Sequence, residues 1–341
     1  MPDLHPLLRR IDRFQQRHPA LAYPVAVWKK FSDDRAGYLC ALLAFFAFVS
    51  LFPLLLVLVT VLGLLLHGNP DLQHRVLNSA LADFPVIGQQ LKTNVNGIGR
   101  SGFGLAVGII GSLLGARGLA DATQYALNKL WAVPYTRRPG FPHNWLRSYG
   151  IIAVLGLGVL ATTFLSGIGA WGGNGVFGIG VQVASVILSL IVNMSLFWLA
   201  FHLATAKEVG WRDQWLAAAL AGVVWQILQI TGGLIVAHQL RNSSSLYGVF
   251  GVVLGLIAWL YLQARLTVYA VEADVVRVRK LWPRTLFPPP LNDQDERVYR
   301  SYAAMEQRVK PETASADPSE ESVQEPTGEV AEKSSATADR A

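Results

Sequence analysis

The first long uncharged, apolar run in the chain is the feature that most limits its fold. Residues 36–68, AGYLCALLAFFAFVSLFPLLLVLVTVLGLLLHG, contain no Asp, Glu, Lys or Arg. A helix of about 20 apolar residues crosses the hydrocarbon core of a bilayer, so this run is long enough to span one. It is too long for the apolar region of a cleavable signal peptide. The run therefore predicts a transmembrane helix.

Five more apolar runs follow the first one along the chain. Only 15% of all residues are charged, against about 25% in ordinary soluble domains. The five runs cover residues 101–131, 149–171, 181–204, 215–238 and 247–272. We therefore predict an all-α polytopic membrane protein built as a six-transmembrane-helix bundle.

The distribution of Lys and Arg between these runs predicts the orientation of the bundle. The N-terminal segment, the segment from Arg117 to Arg147 that follows the uncharged part of the second run, the 4–5 connection and the tail carry seven, five, two and ten such residues. The 1–2, 3–4 and 5–6 connections carry three, none and one. Because basic loops stay in the cytoplasm, both termini of this multi-pass membrane protein are expected there.

The charge pattern also predicts that the chain is divided into three parts. Residues 1–35 are a basic amphipathic segment expected on the cytoplasmic side, and residues 36–280 are the transmembrane domain. Residues 281–341 are expected to form a cytoplasmic tail that is disordered and acidic after about residue 290, since residues 311–341 carry a net charge of −6. Residues 1–310 carry +12, which favours contact with anionic lipid rather than nucleic acid.

Two charged residues interrupt the last apolar run. Arg265 and Glu272 are seven residues apart, close to two helical turns, so they share a helix face. The apolar neighbours outweigh the cost of inserting one Arg. One interpretation is a snorkelling Arg with a Glu at the membrane boundary; the other is that they line a polar cleft or hold an anionic lipid head group.

A second polar group lies in the second run. Arg117 and Asp121 have the i, i+4 spacing at which opposite charges neutralise each other on one helix face, and Asn128 follows seven residues later. The group is either a self-paired boundary cluster or part of a polar pathway shared with Glu272. Both groups are expected near the cytoplasmic side, where they could meet.

The sequence carries no recognisable enzyme motif. There is no phosphate-binding loop, GxSxG or HExxH pattern. Cys40 is the only cysteine, so a Cys-based metal site is not expected. The carboxylates outside the tail lack the close clustering that a metal-dependent nuclease requires. We expect no catalytic residues, no metal and no cofactor.

Three stretches together resemble the YihY/virulence factor BrkB family of bacterial inner-membrane proteins. They are DDRAGYLCALLAFFAFVSLFPLLLVL, LLGARGLADATQYALNKLW and LYGVFGVVLGLIAWLYLQARLTVYAVEAD, which occur in the family's order between about residues 30 and 280. Among the residues that match the family's motifs, we take seven as structural residues: Ser50, Pro53, Tyr247, Gly248, Gly251, Trp259 and Tyr261.

The resemblance implies a six-helix membrane protein of poorly defined activity. Its members were once labelled ribonuclease BN, a function that we disfavour here. Our first hypothesis is a permease that transports lipid or another envelope component, with Arg117, Asp121, Asn128, Arg265 and Glu272 along its polar pathway. The alternative is a scaffold that organises envelope proteins. Membrane lipids are the expected partners. An anionic lipid or another envelope component is the expected substrate. The chain could also form a homo-oligomer, and the sequence does not decide this.

Overall fold

The computed structural model of the chain describes residues 4–65, 102–170, 176–242, 248–286 and 291–308. Within these ranges all regular structure is helical, which confirms the predicted all-α class. The α-helices are α1 (Leu4–Arg17), α2 (Pro19–Asp33), α3 (Ala36–Leu65), α4 (Gly102–Leu130), α5 (His143–Ala170), α6 (Val176–Ala204), α7 (Trp215–Asn242), α8 (Gly248–Arg279) and α9 (Asp293–Met305).

The six long helices, α3 to α8, form a closed ring. They are 28 to 32 residues long, and each packs against the next one in chain order. The ring closes through contacts between α8 and α3. Helix α2 lies against α8 and α3, and α1 lies against α2. The expected bundle is therefore present as six mutually packed helices.

The described apolar core lies at one end of the ring. Its buried residues come from the beginnings of α3, α5 and α7 and from the ends of α4, α6 and α8, so neighbouring helices run in opposite directions. Representative buried residues, in chain order, are Leu39, Leu130, Ile151, Phe201, Ala217 and Val275. Helix α2 packs at the same end.

Elsewhere the ring exposes large apolar side chains. The outward-facing examples on α6 are Val183, Val186, Ile187, Leu188 and Ile191. Apolar surfaces of this extent are uncommon in soluble monomers. By length and composition, two described stretches can cross a membrane, Gly180–Ala204 and Val253–Arg279. The pair Pro19–Asp33 and Ala36–Leu51, bent by 69°, adds a third if it counts as one span. Helix length and composition thus support two or three membrane spans, whereas the sequence predicts six.

Helices α3 and α4 approach closely at two glycines. A Cβ on Gly115 would lie 3.0 Å from Ser50 Cα, and a Cβ on Gly118 would lie 2.6 Å from the Phe46 ring. Both positions therefore need the absence of a side chain, as is common where membrane helices pack. The approach brings Ser50 of the first family stretch against the Gly-rich part of the second.

The expectation of disorder from about residue 290 is wrong for Asp293–Met305, which form α9. Asn292 caps this helix, accepting a hydrogen bond of 2.9 Å from the Asp295 amide. Val298 and Met305 are buried, so a largely polar segment still presents an apolar side to the bundle. Residues 309–341 lie outside the described part of the chain. The three-part division of the chain stays a prediction about its placement relative to the membrane.

Candidate functional site

The end of the ring that holds the core also buries a group of charges, which we term the Glu272 cluster: Lys30, Asp34 and Glu272. Lys30 lies on α2, Asp34 directly follows α2, and Glu272 lies on α8. Lys30 Nζ donates to Asp34 Oδ2 and lies 3.2 Å from Glu272 Oε2. Glu272 is 0% exposed and Lys30 is 2% exposed. The cluster therefore connects α2 to α8, and the connection is buried from solvent.

The same lysine also reaches α4. Lys30 Nζ donates to the Leu130 carbonyl at 3.0 Å, which satisfies a backbone acceptor at the end of that helix. On its other side, Tyr302 of α9 faces Asp34. Burial and the neighbouring Asp34 carboxylate raise the pKa of Tyr302, so its hydroxyl stays protonated. The Glu272 cluster is thus enclosed by four helices.

The composition of the Glu272 cluster determines what it can do chemically. Two carboxylates and one ammonium carry one excess negative charge when all three are ionised, and the charge of Arg279 acts on Asp34 from nearby. A buried excess charge is costly in a medium of low dielectric constant. The cluster can remove this cost by taking up a proton. Such a group can change its charge within the bundle, which purely apolar packing cannot do.

A second ionic group lies beside the first, and we term it the Arg284 cluster: Lys29, Asp33, Arg284 and Asp295. Arg284 Nη2 lies 2.8 Å from Asp33 Oδ2, and Arg284 Nε pairs with Asp295. Lys29 Nζ lies 3.3 Å from Asp295 Oδ1. Burial acts to raise the pKa of Asp295, but the hydrogen bond and charge of Arg284 outweigh it and hold this pKa below its usual range. The Arg284 cluster fastens α9 and residues 281–286 to α2.

The predicted pair on α4 forms a third group, the Asp121 cluster: Arg117, Asp121, Gln124 and Ser148. Arg117 Nε lies 3.5 Å from Asp121 Oδ2, so the expected i, i+4 pair is present. Ser148 of α5 donates to Asp121 and accepts from Gln124 at 2.8 Å. The Arg117 guanidinium lies 3.9 Å from the centre of the Trp145 ring. The contacts of this cluster join α4 to α5, and a pathway shared with Glu272 stays a prediction.

Asn128 braces the ends of two helices. Its Nδ2 donates to the Gln124 carbonyl at 2.7 Å and to the Ala204 carbonyl at 3.2 Å. Its Oδ1 accepts from the Ala206 amide at 2.8 Å. All polar atoms of this buried amide are therefore used in holding the end of α4 against the end of α6.

Arg265 shares the α2-facing side of α8 with Glu272 but lies in a different environment. It is exposed, and its guanidinium lies 5.8 Å from the ring centres of both Phe31 and Tyr269. Those two rings stack with centres 4.1 Å apart. No ion pair is seen between Arg265 and a carboxylate of the described residues. The structure thus holds Arg265 by aromatic contact.

Next to Arg265 lies an apolar depression between two helices, which we term the α3–α8 groove. Its volume is about 330 Å³. Its lining residues are Ala41, Ala44, Phe45 and Phe48 of α3 and Leu254, Ile257, Ala258 and Tyr261 of α8. Tyr261, one turn before Arg265, contributes the only hydroxyl among them. The groove is open on the outer side of the ring, where Phe45 and Leu254 are exposed.

The other motif residues are only partly described. Ser50 donates to the Ala47 carbonyl at 2.8 Å, and Trp259 is half-buried on α8. Helix α3 runs through Pro53, whose side chain lies outside the described part, and Gly248 begins α8. Tyr247 and the surroundings of Gly248 and Gly251 also lie outside it.

The sequence prediction missed Lys30 and Asp34 as partners of Glu272, and it missed the Arg284 cluster. Adjacent pairs at Lys29–Lys30 and Asp33–Asp34 place two opposite-charge pairs at i, i+4, a pattern that can be read from sequence. Their burial is not readable in this way, because it arises from α8 and α9, more than 200 residues away in the chain.

Comparisons with known proteins agree with the helical membrane architecture. The Inner membrane protein YhjD of Escherichia coli (strain K12) is 23% identical over 274 residues, 74% of this chain and 80% of that protein. A UPF0761 membrane protein of Aeromonas salmonicida (strain A449) is 23% identical over 255 residues, 72% of this chain and 85% of that protein. No solved structure matches the chain significantly.

The match to a protein family covers most of the helical ring. The profile described as Virulence factor BrkB matches residues 27–286. This range begins within α2, three residues before Lys30, and ends two residues after Arg284. It therefore includes both partners of the Lys30–Glu272 pair. The chain is an integral membrane protein that belongs to the virulence factor BrkB family.

Proposed function

We propose that this protein is a non-enzymatic permease of the bacterial inner membrane that moves lipid or another envelope component. The observation that carries the proposal is the Glu272 cluster, a buried group of ionisable residues at the end of the helix ring that we place on the cytoplasmic side. Buried ionisable residues in a membrane protein are candidates for transport pathways and proton relays. The excess carboxylate of this cluster gives it a charge state that can change.

The proposal includes six membrane spans, α3 to α8. Each has at least 28 residues, and at 1.5 Å per residue the shortest is about 42 Å long. A length of about 30 Å is enough to cross the hydrocarbon core. The closed ring and the alternating direction of its helices support the same count.

Both chain termini are proposed to be cytoplasmic. The N-terminal helices and α9 lie at the same end of the ring, which is the end that carries most of the basic connections. A reporter that is active only in the cytoplasm, fused to the C-terminus, should be active, and alkaline phosphatase at the same position should be inactive. The reverse pattern would contradict the orientation.

Transport is tested with purified protein in liposomes. Fluorescently labelled phosphatidylglycerol placed in both leaflets is exposed to a membrane-impermeant quencher that reaches only the outer leaflet. Protein-free vesicles should lose about half of the signal, and vesicles with the protein should lose more as lipid crosses. Equal loss in both preparations would argue against phospholipid transport.

The alternative, a scaffold for envelope proteins, draws support from the acidic segment 311–341 with its net charge of −6. Because α9 is packed against the bundle, a discriminating deletion must begin after it, at residue 309. A scaffold that recruits partners through this segment should lose its cellular function in the deletion, whereas a permease should keep it. Purified protein incubated with RNA and Mg²⁺ is expected to show no cleavage.

A further inference from the structure

We infer that the α3–α8 groove and Arg265 together form a binding site for one anionic phospholipid. An acyl chain lies in the groove and the head-group phosphate pairs with Arg265. The site rests on the proposed membrane placement of α3 and α8, but it does not depend on transport.

The geometry of α8 matches one leaflet of a bilayer. Leu254, Ala258, Tyr261 and Arg265 recur every three or four residues and so follow one face of the helix. The rise from Leu254 to Arg265 is about 16 Å. Half of the hydrocarbon core is about 15 Å. A lipid whose phosphate lies at Arg265 therefore has its chain alongside the groove for the depth of its leaflet.

The charge of Arg265 favours an anionic occupant. The guanidinium is exposed and contacts two stacked rings, so its N–H donors can still pair with a phosphate. Aromatic contact fixes its position without neutralising it. Tyr269 lies one turn nearer the cytoplasmic end of α8 than Arg265, so the guanidinium extends toward the level of the head groups, as a snorkelling side chain does. Positive charge at the end of an apolar groove complements a phospholipid.

The shape of the groove favours an acyl chain over a helix of another protein. Its volume is about 330 Å³, which suits a slender hydrocarbon chain. Small side chains at Ala41, Ala44 and Ala258 line it together with the aromatic rings of Phe45, Phe48 and Tyr261.

The test is native mass spectrometry of the full-length protein with added phosphatidylglycerol or phosphatidylcholine of the same chain length. The wild type should retain phosphatidylglycerol in preference to phosphatidylcholine. Arg265→Gln should lower phosphatidylglycerol retention by about tenfold, the loss of one charge-assisted interaction. Arg265→Lys should keep the preference, and Arg300→Gln, which changes an exposed Arg of α9, should have no effect.

A second variant tests the groove itself. Ala258→Trp fills the depression and should lower retention of both lipids, whereas Ala153→Trp, at an exposed alanine of α5, should not. Equal retention of the two lipids by the wild type, or unchanged retention in Arg265→Gln or Ala258→Trp, would overturn the inference. A dimer that dissociates only in Ala258→Trp, with no lipid preference in the wild type, would assign the groove to a second copy and also overturn it.

Discussion

Lys30 Nζ lies 3.2 Å from Glu272 Oε2 and also bonds Asp34, so one buried ammonium serves two buried carboxylates. Lys30→Met would remove the cation that both carboxylates contact. Breaking a buried ion pair from one side costs about 3–5 kcal/mol. We expect the melting temperature of the detergent-purified protein to fall by roughly 10 °C.

The matched control for this change is Lys207→Met, because Lys207 is exposed in the connection between α6 and α7. It should leave the melting temperature within about 2 °C of the wild type, as expected for a surface substitution. If Lys30→Met and Lys207→Met melt alike, the Glu272 cluster does not hold α2 to α8.

The contact between Gly118 and Phe46 predicts a second stability effect. A Cβ at position 118 would lie 2.6 Å from the Phe46 ring, so Gly118→Ala forces the ring or the α4 backbone to move. Overpacking of this kind costs about 1–3 kcal/mol, measurable as a lower melting temperature. Phe46→Leu in the same chain should restore part of the loss.

Gly255 provides the control for that substitution. A Cβ added there meets nothing within 4 Å, so Gly255→Ala should be neutral or slightly stabilising, as helix propensity favours alanine over glycine. A Gly118→Ala variant as stable as Gly255→Ala would show that α3 and α4 pack less closely than the structure places them.

The lowered pKa of Asp295 predicts a dependence of stability on pH. Its folded-state pKa lies below its unfolded value, so its contribution to stability is present above the unfolded value of about 3.9. That contribution is lost as the pH falls through the lowered folded-state pKa. Melting temperatures measured from pH 6 down to pH 3 should therefore fall less steeply for Asp295→Asn than for the wild type. Parallel curves would contradict this role for Asp295.

The packing of α9 predicts how far the C-terminus can be shortened. Deletion of residues 309–341 should leave the melting temperature unchanged. Deletion of residues 293–341 also removes Asp295, leaving Lys29 and one side of Arg284 without their buried partner. We expect that shorter chain to express poorly or to melt well below the wild type. Equal stability of the two truncated chains would show that α9 adds nothing to the fold.

The long helices could be predicted from sequence because an apolar run long enough to cross a membrane can form few structures other than a helix. Helix α6, for example, ends at Ala204, where the fourth predicted run also ends. Helix α9 was not recognised, because DQDERVYRSYAAM is mostly polar and its burial depends on Lys29 and Arg284. Sequence shows the apolar side of such a short helix only weakly.

The candidate site was predictable in part. The i, i+4 spacing of Arg117 and Asp121 correctly predicted their pairing. The spacing of Arg265 and Glu272 predicted that both share one face of α8, but it could not show that one is exposed and the other fully buried. That difference depends on Lys30, Asp34 and Tyr302, which come from distant parts of the chain. Long-range burial of this kind has no local signature.

The most direct test of the central claim compares Glu272→Gln with Glu296→Gln in the phosphatidylglycerol transport assay. Glu272→Gln leaves a balanced Lys30–Asp34 pair, so the protein should fold normally while its cluster loses the excess charge. Glu296 pairs with Arg300 on the surface of α9 and serves as the matched control. Our account predicts that Glu272→Gln abolishes transport and that Glu296→Gln preserves it. Transport by Glu272→Gln at the wild-type rate would contradict it.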